Sequence, residues 1–237
     1  MAVTPASFTR TLVAAAAWPL LAHAALAADG AEFAVRWDPS EGGPRSMEEV
    51  VALLDLPHGK RKAFTVRYFS VVQPTDLPPG TRAIARERSF GQRTEAMYKL
   101  RSDVPFPASG PLAAWRCPFE PYTKHKTEID IGFTAEGLPQ KSYSRSCDAG
   151  GSLANVLPAR FAAKPFGCSS QVLRIEADHI KIERWTLPRG EMSFEVSWNG
   201  DDTDADLRKF TRRVITPLMS RDIKPLRESK TELGSNC

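Results

Sequence analysis

Residues 82–101, RAIARERSFGQRTEAMYKLR, constrain the architecture more than any other stretch of this chain. They read as two strands joined by a turn at Phe90-Gly91-Gln92. One parity of the first strand carries Arg82, Ile84, Arg86 and Arg88, and the other carries Ala83, Ala85 and Glu87. A half-buried strand sets bulky apolar groups on one face and polar groups on the other. Here the apolar face has only small alanines and the polar face is mostly arginine. The fold has to give those arginines a destination.

The same two-faced pattern recurs along the chain. EFAVRW (32–37) sets Phe33, Val35 and Trp37 against Glu32, Ala34 and Arg36. AFTVRYFSVV (63–72) is a further strand, followed by the turn-rich QPTDLPPG. KHKTEIDIGF (124–133) alternates Ile129, Ile131 and Phe133 with Lys124, Lys126, Glu128 and Asp130, and QKSYSRS (140–146) is its expected partner. QVLRIEADHIKIERWTL (171–187) reads as a hairpin turning at Ala177-Asp178-His179, and EMSFEVSW (191–198) is the clearest strand. Two helices punctuate these strands. SMEEVVALLDL (46–56) opens with Ser46 and Glu49 in capping-box spacing and ends at Pro57 and Gly59. The other begins in the acidic run from Asp202 to Asp206, where carboxylates meet the helix dipole, and Pro217 ends or kinks it. Residues 103–123 and 147–170 read as irregular.

On the polar parities, Arg36, Arg86, Arg88, Lys99, Lys126, Arg174 and Lys181 alternate with Glu32, Glu95, Glu128, Asp130, Glu176, Glu183 and Glu195. Two architectures satisfy this. An open sheet packs its apolar face on helices and shows its charges to water. A closed barrel turns its apolar face outward under helices and loops and lines its lumen with charge, which is tolerated only where the charges pair or bind something charged. Alternation alone leaves both open.

With 42% hydrophobic and 25% charged residues over 237 positions, the chain is of globular, not disordered, composition. Residues 1–27 read as a secretory signal peptide: Arg10, an apolar run from Leu12 to Leu21, and small residues at Ala25 and Ala27, with cleavage expected after Ala27. An uncleaved anchor is the competing reading, although the run is short for a membrane span. Residues 28–237 are expected to form a single domain in the periplasm, with an irregular insertion at about 147–170. Removing the leader takes the formal charge from +4 to +3, too mild for a nucleic-acid surface, so any basic feature is local. Cys117, Cys147, Cys168 and Cys237 all follow the leader and suggest two disulfides, with three pairings open; one bridge is expected to tether the stretch between Cys147 and Cys168. No CxxC motif occurs and the histidines are scattered, which argues against redox chemistry and against a zinc site.

The last segment shifts the balance between the two architectures. FEVSW (194–198), a helix, and then ESKTELG (228–234) resemble the end of a CYTH domain, the family also called triphosphate tunnel metalloenzymes. EFAVR (32–36) stands where that family has Glu-x-Glu-x-Lys. VRYFSVVQPTDLPPGTRAIARER resembles its Tyr-Phe-Asp-Thr stretch leading to Arg-x-Arg, and MYKLR (97–101) its Thr-Leu-Lys strand. The resemblance spans residues 32–234. It implies an α+β fold: an antiparallel β-barrel of about eight strands with flanking helices, CYTH-like, whose arginines point into a tunnel. Carried over residue by residue, Arg36, Arg86, Arg88, Lys99 and Lys230 would grip a phosphate-rich anion, with Lys126, Arg174 and Lys181 added by strand parity. Glu32 and Glu195 would hold Mg or Mn, with help from Glu128, Asp130 or Glu183. Three family acids are missing: Ala34, Ser70 and Ser197 stand in their places.

Three functions follow as expectations. One is an exported protein that binds triphosphate, polyphosphate or a similar anion in a basic tunnel, without efficient turnover. A second is a divalent-metal-dependent phosphohydrolase. The third is an envelope structural or interaction protein whose charges only pair with each other. No nucleic-acid partner and no membrane span are expected.

Overall fold

The structure is a computed structural model that describes residues 27–72, 77, 80–110, 116–118, 122–159 and 161–237. The expected signal peptide, apart from Ala27, lies outside the described residues, as does most of the turn-rich stretch after β2. The strands are β1 (Gly30–Trp37), β2 (Lys60–Val71), β3 (Arg82–Phe90), β4 (Arg93–Ser102), β5 (Lys124–Phe133), β6 (Pro139–Gly150), β7 (Ala163–Pro165), β8 (Ser170–Ala177), β9 (Ile180–Thr186) and β10 (Met192–Gly200). The helices are α1 (Met47–Leu53), α2 (Asp204–Phe210), α3 (Thr216–Met219) and α4 (Lys230–Ser235).

Nine strands run in the order β3-β4-β6-β5-β1-β10-β9-β8-β2, and the pairing of β2 with β3 closes them into a barrel. β7 stays outside, paired with the far end of β2. This departs from the antiparallel, eight-stranded expectation in two ways. The number eight came from the family resemblance, whereas the alternation itself marks nine strands. And β1 pairs parallel with β5, Glu32 opposite Asp130, while its other edge pairs antiparallel with β10. A parallel pair needs a long crossover rather than a hairpin, and the chain between β1 and β5 supplies it, so the barrel is mixed.

Local chemistry explains the elements. Ser46 caps α1 by accepting from the Glu49 amide at 3.1 Å. Glu49 reaches back one residue further than a capping box requires, to the Arg45 amide. The β8–β9 hairpin turns on Asp178 and His179, both at positive φ (46° and 64°), as a two-residue hairpin loop demands. Pro217 does not end the last long helix. A π-helical turn over Thr211–Ile215 joins α2 to α3 and absorbs the proline.

The apolar faces point outward and are covered. Phe33, Val35, Trp37, Ile131, Ile182, Phe194 and Val196 pack under α1 and the α2–α3 helix, against Val50, Leu54, Phe210, Val214 and Leu218. The alanine parity of β3 has its own cover: Ala85 packs with Ala96, Tyr98, Leu100, Phe106, Leu153 and Val156 beside the Cys117–Cys147 disulfide. Small residues on β3 and β4 let this second outer layer approach. Glu87, also outward, accepts from the Leu153 amide at 2.9 Å. A third cluster, Phe64, Val66, Met97, Val172 and Trp185 with Phe90, lies on the inward parity and lends part of the lumen an apolar, aromatic wall.

The disulfides join Cys117 to Cys147 and Cys168 to Cys237. The expected tether within 147–170 therefore runs outward at both ends, to the stretch after β4 and to the C-terminus. Residues 147–150 belong to β6, and the remainder of that stretch holds a 3-10 turn (Leu153–Asn155) and β7.

Candidate functional site

Cross-strand partners point to the same face of a sheet, so the pairing register identifies the lumen residues. Arg86 lies opposite Tyr68 and Met97; Lys99 opposite Ile84 and Ser146; Glu183 opposite Arg174 and Glu195; Arg36 opposite Glu195. The polar parities of eight barrel strands thus converge, and β2 turns its Phe64, Val66 and Tyr68 face toward them. A cavity of about 170 Å³ is lined by Arg36, Arg86, Arg88, Lys99, Lys126, Arg174, Lys181 and Lys230, every cation singled out in the sequence, together with Glu32. Glu195, 1% exposed, lies behind that lining, paired with Arg36 and Lys230. A second cavity of about 210 Å³ shares Glu32, Arg36 and Arg101 with the first and continues past Asp130 and Arg227.

The lumen charges fall into two groups. In the first, cations and carboxylates are tightly paired. Glu195 meets Lys230 Nζ through Oε1 at 2.6 Å and Arg36 Nε through Oε2 at 2.6 Å. Glu183 Oε1 accepts from Arg174 Nε at 2.8 Å, and its Oε2 accepts from Trp185 Nε1 at 2.9 Å and Lys230 Nζ at 3.4 Å. Asp130 pairs with Arg101 at 3.1 Å and Lys99 at 3.5 Å. Burial alone would raise the Glu183 carboxyl, but Lys230, Arg174 and Arg88 more than offset it and hold it far below the usual carboxylate range. Asp130 is depressed in the same way, against burial, by Lys99 and Arg101. Burial would lower the Lys230 ammonium, and Glu183 and Glu195 instead raise it.

In the second group the cations make no ion pair among the described residues. Neither Arg86 nor Arg88 makes a hydrogen bond or ion pair with any described residue. Arg88 Nε is shielded from solvent without a partner, and its guanidinium stacks 5.4 Å from the Phe64 ring centroid. Burial first and the neighbouring Arg86 second push the Arg88 guanidinium down to about 10. Among the described residues Lys181 meets the neutral Asn199 side chain, at 3.1 Å, and makes no ion pair. This part of the lumen holds positive charge that the protein itself does not neutralise. Such an arrangement is costly unless an anion completes it.

α4 delivers Lys230. Ser229 and Glu232 form a full capping box at its start, and Gly234 lets it lie against β2, where an added Cβ would sit 2.5 Å from the Tyr68 ring. The Cys168–Cys237 disulfide, spanning 69 positions, anchors its far end. Closing so long a loop restrains the unfolded chain. Replacing both cysteines by serine is expected to cost about 2–4 kcal/mol of unfolding free energy, read by urea denaturation under non-reducing conditions. An unchanged midpoint would show that α4 stays seated without the bridge.

Whether Mg or Mn fits Glu32 and Glu195 is decided by their partners. Both Glu195 oxygens already meet cations, and a metal there would displace Lys230 and Arg36. Ala34 and Ser197 face the lumen on the neighbouring strands without a carboxylate. Burial would raise the Glu32 carboxyl and Asp130 adds to that, yet Lys230, Lys99 and Lys181 hold it below the usual range, so cations already surround it. Among the described residues no group of three or more His, Cys, Asp or Glu side chains is placed to hold an ion. The residues present do not fit a divalent ion at this position.

Arg101, Asp148 and Tyr68 also line the first cavity and were not among the residues singled out in the sequence. Arg101 shares strand parity with Lys99, and that parity is the signal that marks it. Tyr68 belongs to a strand whose inward face reads as ordinary apolar core.

No protein-family profile matches the chain, and no curated protein matches it. Among solved structures, the PH1012 protein of Pyrococcus horikoshii aligns at 11% identity and a TM-score of 0.45, covering 85% of this chain and 98% of that one. A conserved hypothetical protein of Pyrococcus furiosus aligns at 10% identity and 0.46, covering 86% and 99%. A candidate adenylate cyclase of Vibrio parahaemolyticus aligns at 9% and 0.44, covering 86% and 97%. At these identities and scores the likenesses carry no functional argument. No helix among the described residues is long and apolar enough to cross a membrane.

Proposed function

We propose that this chain is an exported CYTH-like protein that binds a triphosphate- or polyphosphate-like anion in its lumen, without efficient turnover. One observation carries the reading. Cations from separate strands line a single cavity, and Arg86 and Arg88 there make no ion pair with a carboxylate among the described residues. Guanidinium forks match phosphate oxygens bidentately, and an enclosed site screens their charge poorly. The export component rests on the sequence of residues 1–27 and on two disulfides, which persist in oxidising compartments. The absence of turnover rests on the carboxylates. Glu183 and Glu195 serve as counterions for Arg174, Arg36 and Lys230, which leaves metal-assisted attack on a phosphate without its ligand set.

Calorimetric titration with tripolyphosphate, with parallel measurement of released phosphate, tests this. Binding without release is expected. Binding in EDTA is expected to be at least as tight as in Mg²⁺, because Glu195 is already paired with Lys230 and Arg36 and Mg²⁺ competes for the anion. Metal-dependent release that Glu32→Gln abolishes would replace this reading with a phosphohydrolase. No heat even at low salt, where charge attraction is strongest, would leave only the structural role.

A further inference from the structure

The two disulfides differ in their surroundings. Cys117 and Cys147 are 5% and 0% exposed, inside the second outer layer of the barrel. Cys237 is exposed, and its partner Cys168 is half-buried beside the exposed residues 164–167. Exchange with an external thiol depends on access to a sulfur, so a reductant meets the second bridge and not the first.

The accessible bridge also has something to release. α4 is six residues long, and of these only Gly234 is buried. Helices so short are unstable alone and rely on an apolar face packed against the core, and α4 has almost none. Its surface ties are weak: Glu232 meets Arg82 at 3.1 Å with both side chains half exposed, and Arg189 donates to Asn236 at 3.0 Å in the open. The remaining ties run through one side chain, Lys230, which reaches Glu195 at 2.6 Å and Glu183 at 3.4 Å. Desolvating these three charges offsets much of their attraction. The covalent bridge is therefore what keeps α4 seated. Lys230 lines the first cavity, and its charge acts on Glu32, Glu183 and Glu195 together. Without it, three lumen carboxylates lose a shared cation.

We propose that the Cys168–Cys237 disulfide is a redox latch: a dithiol reductant that opens it undocks α4, withdraws Lys230 from the lumen and lowers the affinity for a phosphate-rich anion. This rests on the anion-binding reading above and adds to it a condition under which the ligand is released. A thiolate of the dithiol attacks one sulfur of the bridge, the S–S bond breaks, and the other cysteine leaves as a thiolate that takes a proton. The second thiol of the reductant then attacks the mixed disulfide and frees the first cysteine. The protein bridge gains two electrons and two protons, and the dithiol ends as a disulfide.

The test is graded reduction with dithiothreitol. Mild treatment is expected to open Cys168 and Cys237, and not Cys117 or Cys147, to alkylation read by peptide mass spectrometry. Amide hydrogen exchange should then rise in α4 and stay slow in the barrel strands, as in a local opening. Tripolyphosphate affinity, titrated by calorimetry in EDTA, should fall about tenfold, the worth of one charge-assisted contact, and return on reoxidation. Cys168→Ser with Cys237→Ser should show the lowered affinity without reductant. Lys230→Gln should bind more weakly from the start and lose no more than about twofold further on reduction, because the effect travels through that side chain. Alkylation of all four cysteines together, α4 exchange unchanged after selective reduction, or full affinity with α4 released would each overturn the latch. So would a full further loss in Lys230→Gln. If neither the oxidised nor the reduced protein binds tripolyphosphate, the anion reading falls and the affinity change with it, while α4 exchange still decides whether the bridge seats the helix.

Discussion

Replacing Arg86 and Arg88 together by alanine is expected to weaken tripolyphosphate binding by about 3–6 kcal/mol, taking about 1.5–3 for each charge-assisted contact. That is a loss of more than about a hundredfold. The effect should be large because neither cation is held in an ion pair among the described residues, so both guanidinium forks are open to a ligand, Arg88 feeling Glu183 only at longer range. Substituting Arg174 or Arg36 removes a charge already matched by Glu183 or Glu195, and the affinity loss should be smaller. The double variant should also retain its thermal stability, since Arg88 is a desolvated charge without a counterion and its removal offsets the lost packing on Phe64. Calorimetry at two salt concentrations reads both quantities of interest, the affinity and its salt slope. An affinity equal to that of the wild type would remove the β3 arginines from the site and would leave the lumen as a closed salt-bridge network.

Glu183→Gln is expected to produce the largest loss of stability, about 3–5 kcal/mol, the range for breaking a buried ion pair by removing one partner. Glu183 is 1% exposed and holds Arg174, Lys230 and the Trp185 indole at once. A glutamine keeps the shape but presents an amide that cannot neutralise two cations and turns one donor toward other donors. Urea denaturation at neutral pH measures the cost. The same group contributes to the acid response. Its carboxyl titrates far lower in the folded protein than in the unfolded chain, where glutamate sits near about 4.3. The stabilisation is therefore fully present above that value and is lost as pH falls through the folded-state value. Asp130 acts in the same direction. Wild-type stability should decline steadily below about pH 5, and the decline should be shallower in Glu183→Gln. A wild-type midpoint that is level from pH 7 to pH 3, or a variant as stable as the parent, would mean the network contributes nothing net to folding.

Much of the lumen was legible along the chain. Period-two alternation says which side chains share a face, and it placed Arg36, Arg86, Arg88, Lys99, Lys126, Arg174 and Lys181 on the faces that meet. The alanines of β3, odd for an inward apolar face, are explained by the second outer layer around Phe106, Leu153 and Val156. Other features had no local signal. The parallel pairing of β1 with β5 joins segments that lie far apart in the sequence, and neither hydrophobic pattern nor turn chemistry acts over that distance. The cysteine pairing was equally silent, because it depends on which loops are brought to within a disulfide's reach, 5.6 and 5.9 Å between Cα atoms here. Tyr68 falls on the tyrosine of the Tyr-Phe-Asp-Thr resemblance, but Phe64, Val66 and Tyr68 alternate as any core strand would. Only the register against Arg86 shows that this face is the lumen.

The residue order by itself determined the two-faced strands, the helix caps and the pool of charges that must share a side, because those follow from backbone periodicity and nearest-neighbour hydrogen bonds. It could not assign counterions. Glu195 reads as a metal ligand in a row of acids, and becomes the partner of Lys230 and Arg36 only when α4 and β1 are brought against β10. Coulombic pairing depends on distances of a few ångströms between segments far apart in the chain, and those distances exist only once the barrel has closed.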